Sequence, residues 1–323
     1  MQAAVVEAPG TPPVLQERPL PTRGEGGVVV AVSAAPIVPL DLLCASGASY
    51  FGVPSVPYVP GVQGVGVVAE GTAGLVRGTP VWFATSAGMQ PGDGSMRAFA
   101  AVPEHDVVAL PAGADPVLVA ALGLSAVAAW MALTFRGGLT AGERVLVLGA
   151  GGVVGQAAVQ LARSAGAGRV IAAARSERAR ERARQLGADV AVPLDTATYD
   201  PADVAALAER MGADGPVDLV VDPLFGVPAA AAVRALRPHG RLVNLGSSAS
   251  ETAQLDSSVL RSRSLRVLGY TNNELTPAQR AAALGHVVAE VLAGRLTVAH
   301  VPVPLVDVAA AWARTGDRHV LIP

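Results

Sequence analysis

The feature that most constrains this chain is the run Val145-Leu146-Val147-Leu148-Gly149-Ala150-Gly151-Gly152-Val153-Val154-Gly155, which continues into the Ala-rich stretch from Gln156 to Ala162. The apolar residues predict a buried strand, the glycines a tight turn, and the remainder a helix. In that order the three form a phosphate cradle. Glycines let the backbone approach a pyrophosphate, while free N–H groups and the positive end of the helix dipole attract its charge. Gly149, Gly152 and Gly155, with the amides of Val153 and Val154, are the candidate phosphate-binding residues, and a dinucleotide is the expected ligand. A glycine turn that serves packing alone is the competing reading, against which both flanking elements argue.

The rest of the chain alternates in a way that suits this motif. Arg169-Val170-Ile171-Ala172-Ala173 reads as a strand, Glu177 to Leu186 as a helix ended by Gly187, and Val217-Asp218-Leu219-Val220-Val221 and Leu242-Val243-Asn244-Leu245 as further buried strands. Alternation of strand and helix predicts an α/β fold with a parallel sheet. Thr276-Pro277 is an N-cap followed by a first-turn proline, opening a helix that runs to about Gly294. Residues 1 to about 122 have a different texture, rich in Val, Gly and Pro. Runs such as Gly27-Val28-Val29-Val30-Ala31-Val32 and Gly64-Val65-Gly66-Val67-Val68 predict short strands of a β domain.

Composition excludes several functions. A net charge of −2 gives no electrostatic reason to expect nucleic acid or an anionic membrane surface. The one cysteine, Cys44, rules out an intrachain disulfide and suits a reducing cytoplasm. All 24 basic residues are arginine. Without lysine there is no Schiff base, no Walker lysine and no Tyr-x-x-x-Lys dyad. The charge-free stretch from Pro116 to Phe135 is about long enough to span a bilayer, but it is rich in Ala and Gly and lies mid-chain among soluble-type motifs. No secretory leader is visible at Met1-Gln2-Ala3-Ala4-Val5-Val6-Glu7.

The cofactor's phosphate state follows from charge. Dinucleotide sites that select NAD usually place Asp or Glu about twenty residues past the glycines, where it accepts from the ribose 2′-OH. In this chain that place holds Arg175, followed by Ser176. A guanidinium binds a 2′-phosphate where a carboxylate would repel it. Arg175, Ser176 and Arg178 are therefore candidate NADPH ligands, although arginines also decorate the following helix as solvated groups.

The glycine spacing is G-x-x-G-x-x-G, and the usual G-x-G-x-x-G would need a glycine at Val154. With this spacing the chain resembles the medium-chain dehydrogenase/reductases, in particular their zinc-free quinone oxidoreductase branch. The likeness extends through Val32 to Asp41, Pro60 to Val68, Gly240 to Gly246 and Val320 to Pro323. It implies a Rossmann-type doubly wound parallel sheet over residues 123–295 and a GroES-like, mostly β catalytic domain over residues 1–122 and 296–323. It also implies that the 116–135 stretch is a buried helix. Zinc-dependent relatives carry ligands at places that here hold Val38, Val62 and Gln63, so the resemblance predicts no metal.

Hydride transfer without a Lewis acid needs an already electron-poor carbon, such as an activated alkene or quinone. The resemblance puts Val38, Asp41, Leu43 and Tyr50 at the substrate pocket. The family commonly has Asn at Val38 and Tyr at Leu43, and this chain has neither. Tyr50, in approximate register, is the candidate hydrogen-bond donor or proton source, with a packed loop aromatic as the other reading. Asp41 could touch the site or serve the turn. Leu245, Gly246 and Ser247 leave a buried strand at the sheet's carboxyl edge, where ligands bind, and by resemblance contact the nicotinamide carboxamide. The resemblance further implies a homodimer through an edge strand at 264–270. The expected function is a cytoplasmic, NADPH-dependent reduction of a small hydrophobic substrate. An NADPH-binding protein with a sensing, structural or rearrangement role is the alternative.

Overall fold

The structure is a computed structural model that describes residues 1–195, 198–314 and 316–323. The chain begins with β1 (Gln2–Val5), β2 (Val14–Glu17), β3 (Gly27–Pro36), α1 (Pro39–Ser46), β4 (Gln63–Glu70), β5 (Pro80–Ala84), β6 (Phe99–Pro103), β7 (Val107–Ala109) and α2 (Pro116–Met131). It continues with β8 (Arg144–Leu148), α3 (Val153–Ser164), β9 (Arg169–Ala174), α4 (Glu177–Gln185), β10 (Val190–Pro193), α5 (Pro201–Met211), β11 (Val217–Asp222) and α6 (Gly226–Ala235). Then follow β12 (Leu236–Asn244), α7 (Ser257–Ser262), β13 (Arg266–Gly269), α8 (Pro277–Leu292), β14 (His300–Pro304), α9 (Val308–Trp312) and β15 (Arg318–Ile322).

Two compact units emerge. One comprises Met1–Gly123, Leu284–Leu292 and Val298–Pro323; the other comprises Leu124–Ala283 and Ala293–Thr297. The end of α8 thus joins the first unit, a return that the sequence reading places only at residue 296. Leu284, Val287 and Val288 form its buried stripe.

Among the described residues, the first unit's main sheet runs β14-β15-β3-β4-β5-β7, with β6 also on β3. Val28, Val30 and Val32 alternate inward from β3 and meet Val68, Val81, Phe83 and Ala100 in one core. The second unit holds a six-stranded sheet, counted among the described residues, in the order β10-β9-β8-β11-β12-β13, every pair parallel. Strands such as β11, buried at all six positions, are continuous apolar runs because helices cover both faces. Numbered from β8, the order is 3-2-1-4-5-6, and it reverses between β8 and β11. That reversal opens a crevice at the carboxyl ends of the strands.

The apolar stretch after Pro116 forms α2 and a π turn over Ala132–Arg136, with 61% of its most apolar window buried. Gly123 kinks it, at φ 27° and ψ −126°. A Cβ there would come within 2.0 Å of Gln63 Oε1, so only glycine lets the helix pass this side chain.

Candidate functional site

The glycine turn has the construction its sequence predicts. Gly149 leaves β8 with φ 66°, and Gly152 caps α3 without any side-chain hydrogen bond. Among the described residues, the first amides of the helix, at Val153, Val154 and Gly155, have neither an intrahelical acceptor nor a capping side chain. A Cβ on Gly155 would lie 2.3 Å from the Gly149 oxygen. Glycine at that position lets helix and strand close up, which brings the amides to the strand's exit. These residues fit a pyrophosphate.

At the end of β9, Arg175 is exposed, and among the described residues its guanidinium makes no ion pair or hydrogen bond. Its carbonyl accepts from Arg180 Nη1 at 2.7 Å, and the same nitrogen reaches the Ala174 oxygen at 3.2 Å, so the strand exit is held in place. Ser176 serves as N-cap of α4, its Oγ accepting from the Ala179 amide at 3.2 Å. Glu177 is the nearby carboxylate that could oppose a phosphate. It is paired with Arg180 and Arg184, whose hydrogen bonds hold its carboxyl below the usual range. The glycine turn adjoins this region, since a Cβ on Gly151 would lie 2.9 Å from Ala179 Cβ.

On the other side of β8, the exits of β11 and β12 are tied together. Asp222, fully buried, accepts from the Leu224 and Phe225 amides at 2.9 and 2.8 Å through Oδ1. Asn244 Nδ2 reaches Asp222 Oδ2 at 3.3 Å and the Gly246 oxygen at 2.8 Å. The Leu245 amide donates to the Asp222 oxygen, and Ser247 Oγ bonds Glu251. A Cβ on Gly246 would come within 2.9 Å of the Pro223 oxygen, so close approach of two turns explains that glycine.

In the first unit, Val38 is buried as N-cap of α1, and Asp41 is 2% exposed. Asp41 Oδ2 accepts from the Val38 amide and Oδ1 from the Val62 amide, each at 2.9 Å. Burial pushes its pKa up to about 6, against the pull of those amides and of Arg318. Arg318, equally enclosed, donates to the Ile37 oxygen at 3.0 Å, and burial lowers it to about 10. Asp41 thus ties the start of α1 to the segment that leads into β4. Leu43 is partly exposed, and Tyr50 is 76% exposed with its ring against Phe51 at 4.2 Å. Leu42, Val53 and Val56 are exposed nearby in sequence. A separate groove of about 690 Å³, lined by Arg18, Thr85, Asp93 and Arg97 among others, includes none of the four predicted residues.

Residues 153–287 match the family model described as zinc-binding dehydrogenase, and residues 24–112 match the alcohol dehydrogenase GroES-like domain. A solved quinone oxidoreductase from Thermus thermophilus superposes with a TM-score of 0.83 at 30% identity, covering 100% of both chains. The chain belongs to the medium-chain dehydrogenase/reductase superfamily. Within it the chain is quinone oxidoreductase-like. Human quinone oxidoreductase is 28% identical over 88% of this chain and 85% of its own length. The human synaptic vesicle membrane protein VAT-1 homolog is 32% identical over 72% of this chain, a match that spans 57% of that relative.

The position where zinc-dependent members of the superfamily carry an acidic ligand here holds Gln63, whose amide is built into the core. Its Oε1 accepts from Trp82 Nε1 at 3.1 Å, and its Nε2 donates to the Ala120 oxygen at 3.4 Å. Among the described residues, no group of three or more His, Cys, Asp or Glu is placed to hold a metal ion. The sequence reading leaves Asp222, Asn244 and Leu224 without roles in this medium-chain fold. The Asp-Pro pair after a buried strand signals a turn, but nothing in the pattern shows that it joins a neighbouring one.

Proposed function

We propose that this chain is a zinc-independent, NADPH-dependent oxidoreductase that transfers hydride to an activated C=C bond, of enone type, or to a quinone of a small hydrophobic substrate. The observation that carries the reading is the unpaired Arg175 guanidinium beside an uncapped helix start, with the neighbouring Glu177 drawn off by Arg180 and Arg184. Bound NADPH would supply the hydride. Gly149, Gly152, Val153, Val154 and Gly155 would hold its pyrophosphate; Arg175, with Ser176 and Arg178 beside it, would hold its 2′-phosphate; and the Leu245-Gly246-Ser247 turn would lie along its other half. Val38, Leu43 and the exposed apolar residues around Tyr50 support a substrate with little polarity. As charge develops on the conjugated oxygen, the Tyr50 hydroxyl would donate to it, and solvent would then replenish that proton.

Steady-state NADPH oxidation over a panel of quinones, enones and acyl-thioester alkenes tests the reading. Turnover of at least one class is expected, unchanged by prolonged chelation. NADPH binding with no turnover of any class would favour the alternative, a non-redox NADPH-binding role, to which the absence of polar side chains at Val38 and Leu43 lends some weight. The edge strand β13, with Val267 40% exposed, supports a two-fold homodimer, and a monomer at micromolar concentration in light scattering would refute that pairing.

A further inference from the structure

Phe225 stands where an L-residue is strained. Its φ of 58° and ψ of −157° belong to a region that glycine occupies freely and a side chain does not. It starts α6, and its partly buried ring packs on the second unit's core, so the ring is anchored while its backbone is held in an unfavourable conformation. The group that holds the backbone is the Asp222 carboxylate, through the Leu224 and Phe225 amides.

This carboxylate ties the exits of β11 and β12 together. Through Asn244 it reaches the Gly246 turn. Through the turn it fixes, the Pro223 oxygen accepts from the Ser248 amide and hydroxyl, and the Leu224 oxygen accepts from the Ala249 amide at 2.9 Å. The Leu224 side chain covers the glycine turn, since a Cβ on Gly149 would lie 2.9 Å from Leu224 Cδ2. In the strand order, β9 with Arg175 flanks β8 on one side, and β11 with β12 lies on the other. A dinucleotide centred on the β8 turn with its 2′-phosphate toward Arg175 must extend its nicotinamide half over the exits that Asp222 joins.

We infer that Asp222 is a positioning residue for the nicotinamide half of the cofactor, holding the strained Leu224-Phe225 turn and the Gly246 turn in register through Asn244. The inference rests on the dinucleotide reading above. It separates the two halves of the ligand: loss of Asp222 should impair the half over β11 and β12 and spare the half at Arg175.

The test measures equilibrium affinities of the whole chain for NADPH and for 2′,5′-ADP, which carries only the Arg175 half. Asp222→Ala should weaken NADPH at least tenfold and leave 2′,5′-ADP within about twofold. Phe225→Gly in the same chain should bring NADPH back to within about threefold of the parent, because glycine adopts the turn without the carboxylate. If Asp222→Ala does not fold, Asp222→Asn carries the test. It keeps an oxygen for the two amides but turns a donor toward the Asn244 donor, so the same selective loss is expected. Equal weakening of both ligands would mark Asp222 as merely structural and overturn the inference, as would unchanged NADPH affinity or failure of the Phe225→Gly rescue. Failure of the unaltered chain to bind either ligand would overturn the dinucleotide reading and this assignment with it.

Discussion

Asp41 in the first unit and Asp222 in the second are 2% and 0% exposed, and each accepts from two backbone amides, Asp41 joining the N-cap of α1 to Val62 and Asp222 closing the turn into α6. Burial lifts both above the ordinary carboxylate range. They differ in what faces the charge. Asp41 feels the buried guanidinium of Arg318, whereas the side-chain partner of Asp222 is the neutral amide of Asn244. A buried carboxylate beside a buried cation can be accounted for by the fold, because each ion offsets the other's desolvation. One held by neutral donors, at the ligand edge of a parallel sheet and beneath a strained turn, calls for a reason in what it positions. The comparison teaches that similar local geometry can serve stability in one unit and binding in the other.

If the division is right, changes in the first unit should alter stability or turnover and spare cofactor affinity, while changes at the strand exits of the second should do the reverse. The largest effect is expected from Arg318→Met. It leaves Asp41 buried without its cation, which should lower the unfolding free energy by about 3–5 kcal/mol in urea titrations with NADPH affinity unchanged. A loss below about 1 kcal/mol would break the comparison.

Asp41 also predicts a pH dependence. Its pKa is about 6 in the folded chain against the ordinary 3.8, so the folded state holds the proton more tightly. Stability should therefore fall as pH rises between about 4 and 6, by up to about 3 kcal/mol. Urea midpoints across that range, taken relative to Asp41→Asn, isolate this component; a difference that does not change with pH would remove it.

Tyr50→Phe should lower turnover about 10²-fold, roughly 3 kcal/mol in the transition state, with NADPH affinity unaltered. Near-normal turnover would leave this exposed tyrosine as a loop aromatic only. The smallest effect sharpens the comparison from the second unit. NADPH should bind at least tenfold tighter than NADH, about 1.4 kcal/mol, and Arg175→Ala should erase the preference without shifting the thermal midpoint. Equal affinities in the unaltered chain would end the assignment of Arg175.

Legibility differs between the units for a physical reason. In the second, strand, glycine turn and helix are contiguous, and steric need leaves its mark as glycine at Gly149 and Gly155. The helices α5 and α6 and the strand β10 escape the sequence reading, although Asp200 caps α5 over Ala202 and Asp203 as a sequence signal would suggest. In the first unit, Val38, Asp41, Leu43 and Tyr50 are neighbours in sequence, and resemblance alone groups them. The structure buries two and exposes the other two. Whether a side chain on a short helix points inward depends on what packs above it, which no local pattern records.

The sequence by itself determined the alternating α/β unit, the uncapped glycine turn and the guanidinium in place of a carboxylate at Arg175, because each is a property of adjacent residues. Tertiary structure alone decided that Asp41 lies beside Arg318, that Gln63 dictates the glycine at the α2 kink, and that Asp222 joins the exits of β11 and β12. Those pairings span tens to hundreds of residues, and they acquire meaning only when burial removes water as the competing partner.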